Sequence, residues 1–134
     1  MEKIIQELKE EFASLPDSFS RYTYLIELAR LLPPVDETLR QEPYLYRGCQ
    51  SQVWLRVRVQ DEQFYLDADS DTLLIRGVLA LFREVLDGQP VAAVAQANFD
   101  LLNDLGIREH FSAVRTGNIA GMLPELQRRL RNVL

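Results

Sequence analysis

Gln52-Val53-Trp54-Leu55-Arg56-Val57-Arg58-Val59-Gln60-Asp61-Glu62-Gln63-Phe64-Tyr65-Leu66-Asp67-Ala68-Asp69 is the stretch that decides the fold class. Its period is two. Val53, Leu55, Val57 and Val59 point to one face of a strand, while Trp54, Arg56 and Arg58 point to the other. The polar run Gln60-Asp61-Glu62-Gln63 reads as a turn, after which Phe64, Leu66 and Ala68 alternate with Tyr65, Asp67 and Asp69. This pattern predicts an antiparallel hairpin with one apolar face. A lone hairpin is marginal in water, so a further short strand or helices over that face must complete it. Glu42 to Arg47 is the candidate for the extra strand.

On both sides of the hairpin the period is helical. Ile4, Leu8, Phe12 and Leu15 form one amphipathic face that Pro16 closes. Asp17 and Ser18 are caps for a second helix, with Tyr22, Leu25, Ile26, Ala29 and Leu32 on its inner face and Pro33-Pro34 at its end. After Asp71, the residues Ile75, Val78, Leu79, Phe82, Val85 and Leu86 make a wide apolar stripe that Gly88 stops. Pro90 opens a short helix over residues 91–94, and Asp100 caps another piece ending at Gly106. Thr116 or Asn118 is expected to start the last helix, with Ile119, Met122, Leu123, Leu126, Leu130 and Val133 inward and Pro124 kinking it or delaying its start. Helices, then strands, then helices: the fold class is α+β, a small antiparallel sheet packed with N-terminal and C-terminal helices. With no repeat, linker or low-complexity tract, residues 1–134 read as a single domain.

Composition narrows the function. The net charge is −5, from 20 acidic against 15 basic side chains, which disfavours a phosphate backbone as partner. The cluster Arg128-Arg129-Leu130-Arg131 reads as a solvated face of the last helix, with cations at the negative end of its dipole. No apolar run is long enough to span a bilayer, and the first residues lack the basic and apolar segments of a secretion signal. The cytoplasm is therefore the expected compartment. One cysteine makes no internal disulfide, and one cysteine with one histidine is too few for a structural zinc site.

That cysteine sits in Arg47-Gly48-Cys49-Gln50-Ser51-Gln52-Val53-Trp54. Cys49 lies on no apolar helix or strand face. Gly48 frees the backbone before it, polar residues follow, and a rigid strand begins soon after. On the residues alone, Cys49 stays open between inert packing and a nucleophile.

The string Gly48-Cys49-Gln50-Ser51-Gln52-Val53-Trp54 resembles the active-site loop of the SufE-type sulfur acceptors of iron–sulfur cluster assembly. The resemblance covers essentially the whole chain. Tyr24-Leu25-Ile26-Glu27-Leu28-Ala29 is similar to the family's second helix. Asp69-Ser70-Asp71 with Ile75-Arg76-Gly77 is similar to the join between sheet and central helix, and Leu105, His110, Arg115 and Gly117 to the C-terminal pattern. Tyr44-Leu45-Tyr46-Arg47 departs from the Asn, Val and Pro-like residues often found before the loop, which bears on partner selectivity and loop stiffness.

The resemblance implies that Cys49 takes sulfur as a persulfide from a pyridoxal-phosphate-dependent cysteine desulfurase, SufS-like or a paralogue, and passes it to an iron–sulfur scaffold complex. It implies an activator of that desulfurase rather than a complete enzyme. It also implies no cofactor or metal on this chain, with a homodimer left open. Gly48, Gln50, Ser51 and Arg115 are the supporting residues it singles out. Each has a plainer reading: Gln50 and Ser51 as loop hydrogen bonders, Arg115 as a partner of Asp69 or Asp71, His110 as a structural histidine, Trp54 as packing beside the loop. An iron–sulfur scaffold of related fold needs several thiolates, which one cysteine does not supply. The alternative from another class is a small acidic chaperone or binding module in which Cys49 is dispensable.

Overall fold

The computed structural model describes residues 1–47, 51–111 and 119–134. Helix α1 (Glu2–Ala13) buries Leu8 and Phe12. Helix α2 (Ser18–Leu28) begins where expected, with the Asp17 carboxylate accepting from the Ser20 amide at 2.8 Å. It buries Leu25 and Leu28, whereas Tyr22, expected inward, is exposed. A short 3₁₀ turn (Ala29–Leu31) follows before Pro33.

Strands β1 (Val53–Gln60) and β2 (Gln63–Ser70) pair antiparallel from Val53↔Ser70 to Gln60↔Gln63. The two-residue turn uses Asp61 and Glu62, both at positive φ (54° and 61°), the left-handed pair that matches strand twist in a tight hairpin. Val53, Leu55, Phe64, Leu66 and Ala68 are buried on the inner face as the alternation predicts. Among the described residues the sheet has two strands. The expected third strand over Glu42 to Arg47 is not formed: Glu42–Tyr44 is a 3₁₀ turn containing Pro43, and only Leu45 bridges to Trp54. Helices complete the apolar face instead.

Helix α3 (Leu73–Leu86) is the central one, buried on nearly every side. Gly77 lets it meet α2 closely, since a Cβ there would stand 2.1 Å from the Leu25 carbonyl oxygen. At its end Gly88 adopts φ +79°, and its amide donates to the Phe64 carbonyl at 2.8 Å. Helices α4 (Val91–Gln96) and α5 (Leu101–Asp104) follow, α5 capped by Asp100. Helix α6 (Met122–Val133) starts after a 3₁₀ turn (Ile119–Gly121). That is later than Thr116 or Asn118, which lie outside the described residues. Pro124 thus falls in the first turn, where its missing N–H is not needed. Val133, expected inward, is exposed. One apolar cluster runs from Leu8 through the hairpin and α3 to Leu130.

Candidate functional site

The hairpin end that carries Val53 and Ser70 organises the site. On one side the Tyr46 amide donates to the Val53 carbonyl at 2.7 Å, beside the Leu45–Trp54 bridge. On the other, the Gln52 amide donates to Asp71 Oδ1 at 3.1 Å, and the Asp71 amide donates to the Gln52 carbonyl at 3.3 Å. The Ser70 hydroxyl donates to that same carbonyl at 2.7 Å, and the Thr72 hydroxyl donates to Ser51 Oγ at 2.9 Å. The run Ser70-Asp71-Thr72 does this because short polar side chains where a strand passes into a helix reach neighbouring backbone groups. The chain thus leaves the sheet after Tyr46 and rejoins it at Val53 with both ends tied.

Of the expected site residues, Ser51 is described and takes part in these ties. Gly48, Cys49, Gln50 and Arg115 lie outside the described residues. Arg47, which precedes Gly48, is exposed and bonds the Glu42 carboxylate, with one contact at 2.7 Å. Trp54 is half-buried and pairs across the hairpin with Asp69. His110 is half-buried with its ring centroid 5.6 Å from that of Tyr22, and among the described residues its buried Nε2 meets no hydrogen-bond partner.

The sequence reading missed the strongest electrostatic feature at this end. Asp69 is only 3% exposed, and two guanidinium groups clasp it. Arg40 reaches Oδ2 at 2.8 Å through Nε and 2.7 Å through Nη2, and Arg76 Nε reaches Oδ1 at 2.9 Å. A carboxylate buried this deeply must be paired, because desolvation of a lone charge costs several kcal/mol. Both arginines keep more than a third of their side chains in solvent, so positive charge stands at the surface beside the loop's base. Local spacing gave no hint of Arg40, which lies 29 residues from its partner in the segment without a period. Among the described residues no group of three His, Cys, Asp or Glu side chains is placed to hold a metal ion, and no helix is long and apolar enough to cross a membrane.

Comparisons with known proteins agree over most of the chain. The family model described as "SufE: Fe-S metabolism associated domain" matches residues 6–130. A SufE-like protein of Rhizobium meliloti is 27% identical over 128 residues, covering 92% of this chain and 91% of the relative. The sulfur acceptor protein CsdE of Escherichia coli is 31% identical over 111 residues, covering 81% and 76%. A hypothetical protein from Thermus thermophilus, known from a solution structure, superposes with a TM-score of 0.77 at 24% identity, over 96% of this chain and 94% of the other. That last likeness speaks for the fold alone.

Proposed function

The chain belongs to the SufE family, and from that premise we propose that it accepts sulfur from a cysteine desulfurase as a persulfide on Cys49. The observation that carries this reading is the extent of the match. It spans residues 6–130 and so takes in the chain's one cysteine, between a base tied at Tyr46–Val53 and a second tie at Gln52–Asp71.

The chemistry is thiol–disulfide exchange. The Cys49 thiolate attacks the terminal sulfur of the desulfurase persulfide, a new S–S bond forms on Cys49, and the old S–S bond breaks. Its electron pair leaves with the desulfurase thiolate, so no external oxidant or reductant is consumed. Pyridoxal phosphate stays with the desulfurase and works on free cysteine there. This chain contributes the acceptor thiol and the loop that presents it. Gly48, Gln50 and Ser51 serve the loop, and Arg115 is the family-matched cation for steadying the thiolate. The persulfide then passes to a thiol of an iron–sulfur scaffold by the same exchange. One cysteine suits a carrier and is too few to hold a cluster.

The test is desulfurase turnover, followed as alanine released from cysteine in the presence of reductant. Added chain should raise the rate, and Cys49→Ser should not. Equal stimulation by both proteins would overturn the proposal in favour of a role in which Cys49 is dispensable.

A further inference from the structure

The two faces of α2 differ. Leu25 and Leu28 are buried on the inner one, whereas Phe19 is 76% exposed, the most exposed large apolar residue among those described. Phe19, Thr23 and Glu27 follow at four-residue spacing and so form one row along the outer face. With Leu15, Ser20 and Tyr24 they line an open groove of about 290 Å³. Its ends differ in chemistry. Leu15 and Phe19 make one end apolar, and Glu27 makes the other acidic.

Further carboxylates gather at the acidic end. The Tyr24 hydroxyl donates to Glu11 Oε2 at 2.9 Å, and burial, that bond and the charges of Glu11, Glu84 and Glu27 push the phenol up to about 12. Burial raises Glu84 as well, and the charges that add to it, Glu11 and Glu7, are carboxylates. None of Glu7, Glu11, Glu27 and Glu84 is in an ion pair among the described residues. Neighbouring cations do not reverse the balance. Arg21 reaches the Leu15 carbonyl at 3.5 Å with Asp17 close enough to feel its charge, and Arg83, next to Glu84, pairs with Asp87. Counted in full, the side chains of residues 1–32 carry six carboxylates against four cations, and Glu84 adds a seventh carboxylate. A second copy offers this same face, with no surplus of cations to answer the carboxylates.

We infer that the outer face of α2 is a docking site for a basic amphipathic helix of a partner protein, which lays an apolar side chain against Phe19 and Leu15 and sets lysines or arginines two turns further on against Glu27 and Glu11. Phe19 and Glu27 are eight residues apart, about 12 Å along the axis, a span that two turns of a second helix match. A groove that follows a helix row suits this mode of recognition. Covering the exposed aromatic ring supplies affinity, and the carboxylates fix the orientation. The inference goes beyond the persulfide reading and uses neither Cys49 nor the loop.

The probe is a capped, alanine-based helical peptide with leucine on one face and lysines two turns along it; in its counterpart glutamates replace the lysines. The full chain is titrated with each peptide and followed by amide NMR shifts. The lysine peptide should move the amides of Ser20, Thr23 and Glu27, and the glutamate peptide should not. Phe19→Ala, a surface change, should weaken binding by about tenfold, and Glu27→Gln should weaken it several-fold. The inference is overturned if excess lysine peptide leaves these amides unmoved, if the glutamate peptide binds equally, if either variant binds as the parent does, or if raised protein concentration alone moves the same amides.

Discussion

The Gln52 amide and the Asp71 carboxylate meet at 3.1 Å, so the residue three positions after Cys49 is fastened to the residue just before the N-cap of α3. Asp71→Ala removes that acceptor but leaves the bond from the Asp71 amide to the Gln52 carbonyl in place. A hydrogen bond to a charged group contributes about 1.5–3 kcal/mol, less where it faces solvent. Exchange at the Gln52 amide should therefore quicken by about tenfold, with the β1–β2 ladder unchanged. An unaltered Gln52 rate would show that the carboxylate does not hold the loop's foot.

Gly77 tests the packing of the two central helices. In an exposed helix, alanine for glycine gains about 1 kcal/mol. At Gly77 the added Cβ would stand 2.1 Å from the Leu25 carbonyl oxygen, a backbone atom that moves only with α2. Overpacking of this kind costs about 1–3 kcal/mol. Gly77→Ala should thus lower the urea midpoint, and a midpoint at or above the parent's would contradict the close crossing.

Asp67 and Asp87 should respond to pH with opposite signs. Burial pushes the Asp67 carboxyl up, but the guanidinium groups of Arg58 and Arg56 more than offset it and hold it below the usual aspartate value. Its charged form stabilises the fold, an effect present above the ordinary value of about 3.9 and lost as pH falls through the lowered one. Asp67→Asn should therefore melt lower at neutral pH, with the deficit closing in acid. Burial also pushes Asp87 up, and there the Leu66 amide and Arg83 do not restore it. Asp87→Asn should melt higher at neutral pH, and the gain should vanish as pH falls through the raised value to about 3.9. Thermal melts of both variants across this range check the signs, and a shared sign would contradict the assignment.

Local pattern carried most of the fold. Alternation placed the hairpin, Asp17 and Asp100 capped as their chemistry predicts, and the stripe from Ile75 to Leu86 lies in the core. The failures have different causes: Pro43 turns the segment expected as a third strand, and elsewhere the fold decided what covers a face. Tyr22 sits on the expected face of α2, yet that face is only partly covered, and the residue remains 42% exposed. Arg129 looked like one member of a solvated basic run. Instead its guanidinium is tucked against the hairpin, donating to the carbonyls of Tyr44, Leu45 and Leu55, 74 to 85 residues away. Its neighbour Arg128 keeps the solvated role, paired with Glu125.

The site was legible to a different degree. Cys49 stood out for its polar loop setting and, more sharply, for the resemblance of its surrounding string. The ties among Gln52, Ser70, Asp71 and Thr72 were half visible, because a polar run between a strand and a helix signals side-chain-to-backbone bonding without naming partners. The clasp of Asp69 by Arg40 and Arg76 was not visible at all. The alternation marked Asp69 as outward, and only the tertiary fold brings two arginines over it.

The central claim, that Cys49 carries sulfur, is tested most directly by weighing the intact chain after incubation with a cysteine desulfurase, cysteine and pyridoxal phosphate. The account predicts a gain of one or more sulfur atoms that reductant removes and that Cys49→Ser does not show. No gain with any desulfurase tried, or the same gain in Cys49→Ser, would contradict it.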